Sequence, residues 1–117
     1  MLALTFLLTL TIACLTLTPV NTSAASQVSD KLLHAIAFIG LILPCAVLTP
    51  RALVYVVPFA IIFGALIEII QPNVGREAEF MDFVANTIGV WLGVVTGLFI
   101  RYVTGLNAHD ALHRSAN

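Results

Sequence analysis

Six polar residues stand where a largely apolar chain has least reason to keep them: Asp30, His34, Glu68, Gln71, Asp82 and Asn86. Carboxylates and an imidazole can pass protons, serve as general bases or hold a cation, and carboxamides can position them. Their spacing is helical. Asp30 and His34, like Asp82 and Asn86, are four residues apart, and Glu68 and Gln71 are three apart, so each pair shares one helix face. Lys31 and Arg76 lie close by in sequence. A guanidinium grips carboxylate or phosphate through two parallel hydrogen bonds, so Arg76 is expected to fold back as a bidentate partner for a carboxylate. The cluster itself holds no clear nucleophile, so hydrolysis there needs an activated water. His34, Glu68 and Asp82 are the conceivable metal set, but they come from separate segments without a tight motif. Neither a metal nor a cofactor is expected.

The segments that must position these residues are those of a membrane protein. Of the 117 residues 60% are hydrophobic and 9% charged, whereas soluble domains run near half apolar and a quarter charged. A net charge of −1, with no basic tract, excludes nucleic acid as a partner. Four runs approach the roughly 20 apolar residues that cross a bilayer. They are residues 2–18, 32–48, 52–70 and 83–100, joined through residues 19–29, 49–51 and 72–82. The expected fold is an all-α polytopic bundle of four spans. Residues 1–25 form a first span or a signal-like segment, and Thr22-Ser23-Ala24-Ala25-Ser26 resembles a cleavage site, which would leave three spans. No Lys or Arg precedes the first run, which favours a retained span. Cys14 and Cys45 fall inside apolar runs and read as packing residues, not as a disulfide framework. Pro58 removes a backbone bond inside the third span and predicts a kink. Residues 102–117 read as a polar, frayed tail in which His109 and His113 are solvated.

Arg51, Arg101 and Arg114 fall on one side of the four spans, and Lys31 and Arg76 lie among carboxylates on the other. The excess of bare cations makes the arginine side cytoplasmic. The polar ends of the second, third and fourth spans then gather at the extracytoplasmic mouth. On the fourth span Asp82, Asn86, Gly89, Gly93 and Gly97 fall within an arc of roughly 80° at 100° per residue. On the third, Ala60, Gly64, Glu68 and Gln71 do likewise. Small residues allow close helix approach in lipid, so these two faces are expected to meet and enclose the polar groups. The glycine stripe can instead serve a second copy of the chain. A carboxylate facing lipid costs several kcal/mol about a turn inside the span, so Glu68 and Asp82 need partners, protons or a wet pocket. Lys31 is expected to snorkel to the headgroups.

Asp30-Lys31-Leu32-Leu33-His34 followed by Phe38, and the later series Glu68, Gln71, Arg76, Asp82, Asn86, Gly89, Gly93, together resemble the two motifs of the VanZ-like membrane proteins. The resemblance covers residues 29–101 and leaves the first span outside. Glu77 and Glu79 depart from the small or hydroxyl residues of the pattern. It implies a small polytopic protein of the bacterial cytoplasmic membrane. The family's namesake lowers susceptibility to the glycopeptide teicoplanin without remodelling the peptidoglycan stem peptide.

Three functional readings are open. In the first, Asp30, Lys31, His34, Glu68, Gln71, Arg76, Asp82 and Asn86 form a binding site for an amphiphile such as a lipid-linked envelope precursor, with Arg76 and Lys31 holding an anionic group. In the second, the chain is an enzyme on lipid substrates. His34 or Glu68 is its general base, Asp82 orients that base and Arg76 stabilises developing charge. In the third, the polar groups carry protons or ions, or only satisfy one another in an assembly partner, with Asp82 as a helix cap. Gly64, Gly89, Gly93 and Gly97 are structural in every reading.

Overall fold

The computed structural model describes residues 2–18 and 24–116. Five helices follow in order: α1 Leu2–Leu17, α2 Ala24–Leu48, α3 Leu53–Ile70, α4 Phe80–Val103 and α5 Leu106–Ser115. No strand occurs among the described residues. The bundle measures 56 × 24 × 18 Å. Among the described residues three stretches are long and apolar enough to cross a membrane, Asp30–Leu48, Pro50–Val74 and Phe80–Val103. With 16 residues, α1 is about 24 Å long at 1.5 Å per residue, short of the roughly 30 Å hydrocarbon core.

Several boundaries differ from those read off the sequence. Helix α2 begins at Ala24 instead of Leu32, and α4 at Phe80 instead of Phe83. Flanking polar residues such as Ser29 and Asp30 dilute an apolar run without breaking a helix, so hydropathy underestimates both. The cleavage-like stretch at 22–26 begins outside the described residues. The tail after Arg101, expected to be frayed, is largely helical, with α4 running to Val103 and α5 over Leu106–Ser115. Gly105 starts α5 in a left-handed conformation, φ 71°, which an L side chain rarely adopts. Helix α3 continues through Pro58.

The molecule is apolar outside as well as inside, as lipid allows. Phe6, Leu7, Ile69, Phe80, Val95 and Phe99 face outward, and Tyr55 and Tyr102 stand exposed at one end, where amphipathic rings suit an interface. Cys14 is exposed among the outward residues, so only Cys45 is a packing residue. The core is built on Phe38, Leu41, Ile42, Ala60, Ile67 and Val90, with Ile12 of α1 joining it. Phe38 stacks on Phe63 with ring centroids 6.0 Å apart.

The most extensive contact is between α2 and α4, and here the expected packing is corrected. The Gly89, Gly93 and Gly97 stripe faces α2, not α3. A Cβ at Gly89 would lie 2.3 Å from the Ala35 carbonyl oxygen, one at Gly93 would lie 2.9 Å from Ile42 Cβ, and one at Gly97 would lie 2.4 Å from Ala46 Cβ. The stripe read as a possible surface for a second copy is therefore filled by α2 of the same chain. The small residues Ala35 and Ala46 stand opposite two of the glycines, and spacing within α4 alone could not reveal them. Gly64 of α3 serves the other contact, since its missing Cβ leaves room for Asn86 and Phe38.

Candidate functional site

The mouth formed by the start of α2, the end of α3 and the start of α4 gathers all the predicted polar residues, and α1 closes it from the side. After Ile70 the chain makes a single 3₁₀ turn over Gln71–Val74. Gly75 at φ 78° then reverses it, and it runs extended to Glu79 before α4. This short connection swings Arg76 back over the mouth. Arg76 Nη2 donates to Asp30 Oδ2 at 2.7 Å, and Nη1 donates to the Thr16 carbonyl at 2.7 Å. The guanidinium is thus shared and not bidentate on one carboxylate. The reason lies in α1, whose last turn leaves carbonyls without intrahelical donors and favours a cation there. Gln71 Nε2 donates to the same Thr16 carbonyl at 3.3 Å.

Lys31 does not snorkel. Its ammonium pairs with Glu79 and lies 3.4 Å from Asp82 Oδ1, within ion-pair reach. Asp82 sits in the first turn of α4, whose cap position is Glu79, so Asp82 is not the helix cap. Glu79, which the resemblance left unassigned, is the residue that sequence reasoning missed. Only the folded connection brings it to Lys31.

His34 is 1% exposed. Its Nδ1 is 2.9 Å from Asn86 Oδ1. A carboxamide oxygen only accepts, so Nδ1 is the donor of this bond. The group orienting His34 is therefore Asn86, where Asp82 was expected. Nε2 lies 3.9 Å from Asp30 Oδ2. Glu68 enters from α3, with Asp82 the charge that acts on it most strongly, followed by Arg76 and Asp30. The Glu79 backbone approaches its carboxylate without forming a well-aligned hydrogen bond.

Among the described residues, six buried side-chain polar atoms have no hydrogen-bond partner: His34 Nε2, both Glu68 oxygens, Gln71 Oε1, Asp82 Oδ1 and Asn86 Nδ2. All six belong to this mouth. Native proteins pair nearly all buried polar groups, so the concentration is unusual. Four carboxylates (Asp30, Glu68, Glu79, Asp82) face two cations (Lys31, Arg76), an excess of two negative charges when all are ionised. Ligand atoms of Asp30, His34 and Asp82 lie within 4.8 Å of one another. Sequence reasoning weighed Glu68 in that set and left out Asp30.

The opposite end carries a different polar group. Arg101, buried at 5% exposure, donates to the Val47 carbonyl at 2.7 Å and to Asn107 Oδ1 at 2.7 Å. It ties the last turn of α2 to the first turn of α5. A cleft of about 930 Å³ between residues 48–51 and α5 lies beside it, remote from the mouth. His109 and His113 are exposed, with their Nε2 atoms 3.3 Å apart.

No curated protein and no solved structure matches the chain. The VanZ/LLP1 family model matches residues 5–101 and so takes in α1, which the motif resemblance had left outside. With both motifs folded into one mouth and the match running over most of its length, the chain belongs to the VanZ/LLP1 family.

Proposed function

We propose that the protein binds the polar head of an amphiphilic envelope molecule in this mouth, from the extracytoplasmic face of a bacterial cytoplasmic membrane. The six unpartnered buried atoms carry the reading. A polar core that served only stability would satisfy its own groups, because an unpaired buried donor or acceptor costs about 1–3 kcal/mol. Four of the six are carboxylate or carboxamide oxygens, which accept hydrogen bonds. The complementary head therefore brings donors, such as ammonium, hydroxyl or amide N–H groups. This revises the expectation of an anionic group held by Arg76 and Lys31, both of which are engaged with carboxylates.

Native mass spectrometry of protein extracted from its own membrane tests the reading. The wild type is expected to retain a lipid or lipid-linked species with a donor-bearing head, and Glu68→Gln to lose it. Bare wild-type protein, or equal retention in both, contradicts it. A shift in teicoplanin susceptibility on deletion is the cellular counterpart. One observation favours a second, enzymatic reading: His34 has Nδ1 fixed and Nε2 free, the arrangement of a general base. Turnover of a retained lipid that stops in His34→Gln would support it.

A further inference from the structure

We infer that Asp30, His34 and Asp82 form a site for a first-row divalent cation such as Zn²⁺ or Mn²⁺. The inference goes beyond amphiphile binding and stands whether or not that reading does. Its basis is the meeting of these three groups. Asn86 Oδ1 takes the Nδ1 proton of His34, and Nε2 on the far side of the ring lies 3.9 Å from Asp30 Oδ2, too far for a hydrogen bond. His34 is 1% exposed and Nε2 has no partner, and Asp82 Oδ1, in a residue 3% exposed, has no hydrogen-bond partner either. A cation held between the imidazole nitrogen and the two carboxylates would engage all three at once.

The arrangement has the features of a metal site at both levels. Asp30 and His34 stand one turn apart on α2, so they present ligands from one face, and Asp82 adds a third from α4. The three ligand atoms lie within 4.8 Å of one another. Atoms bound at 2.0–2.2 Å to one tetrahedral metal stand about 3.3–3.6 Å apart, so side-chain shifts of about an ångström close the set. Outside the ligands, a metal-bound histidine characteristically donates its other ring N–H to a carbonyl or carboxylate, and Asn86 Oδ1 fills that role. The four carboxylates of the mouth outnumber its two side-chain cations, Lys31 and Arg76, which suits a positively charged ligand. Arg76 and Lys31 reach the same carboxylates at 2.7 Å and 3.4 Å, but each carboxylate keeps further lone pairs. One imidazole nitrogen among carboxylate oxygens selects Zn²⁺ or Mn²⁺ over Ca²⁺ and Mg²⁺, which prefer oxygen throughout.

The test is titration of the purified full chain in detergent with ZnCl₂ and, separately, MnCl₂, carried on a histidine-free tag. His109→Ala/His113→Ala serves as background to remove the tail imidazoles. Calorimetry and metal analysis after gel filtration are expected to give one equivalent per chain. His34→Gln and Asp30→Asn are each expected to weaken binding at least tenfold. If His34→Gln does not fold, as judged by circular dichroism and gel filtration, the half-buried Asp30→Asn carries the test. Failure of the background protein to retain either metal overturns the inference, as does unchanged affinity in the folded variants.

Discussion

The two ends of the bundle solve the same problem and then part. At each, a largely buried arginine reaches across to the last turn of a neighbouring helix: Arg76 to the Thr16 carbonyl of α1, Arg101 to the Val47 carbonyl of α2. Both supply donors that a terminating helix lacks. At the Arg101 end no buried side-chain atom is left unpaired among the described residues, whereas the Arg76 end holds all six such atoms. Packing alone accounts for the first end. The second keeps buried polar atoms without hydrogen-bond partners, which native proteins seldom do.

Substitutions can break or sharpen this contrast. The largest effect is expected where the ends share a scaffold. Gly89→Ala drives a Cβ into the Ala35 backbone, and overpacking of this kind costs about 1–3 kcal/mol or more. A large fall in thermal midpoint in detergent is expected, while Gly40→Ala, which meets nothing within 4 Å, leaves the midpoint unchanged. Next comes Arg101→Met. It strands the Val47 carbonyl and Asn107 and should cost about 1–3 kcal/mol, measured by the same melt and by earlier proteolysis of α5. Arg76→Lys keeps a charge near Asp30 but cannot serve both Asp30 and Thr16, so about 1 kcal/mol is expected. Loosening of α1, seen as faster amide exchange, would check it. The smallest stability effect, with the largest effect on binding, is expected for Glu68→Gln and Asp82→Asn.

How much of this was legible in the sequence follows from which interactions are local. The pairs Asp30/His34, Glu68/Gln71 and Asp82/Asn86 could be placed on helix faces because their spacing is a property of one helix. That the three helix ends meet followed from alternating spans. The partner of the glycine stripe did not, because Ala35 and Ala46 stand on α2 and only tertiary packing selects them over Gly64 and Ala60. Glu79 was missed because it lies on the extended connection, where no periodicity marks it, and its role depends on Gly75 turning the chain back toward Lys31. The place of α1 was hidden for a related reason, since it contributes a backbone carbonyl, which no residue type announces. Arg101 read as a bare cytoplasmic cation because its partners, Val47 and Asn107, come from other helices.

The most direct measurement is the paired unfolding of Glu68→Gln and Arg101→Met in the same detergent, referred to the wild type. Glu68→Gln replaces two buried, unpartnered carboxyl oxygens with a neutral carboxamide of the same shape, so its midpoint should match or exceed that of the wild type while Arg101→Met falls. A loss of stability in Glu68→Gln as large as that in Arg101→Met would show that the mouth is held together by the groups described as unpaired, and would contradict its reading as a site kept open for a ligand.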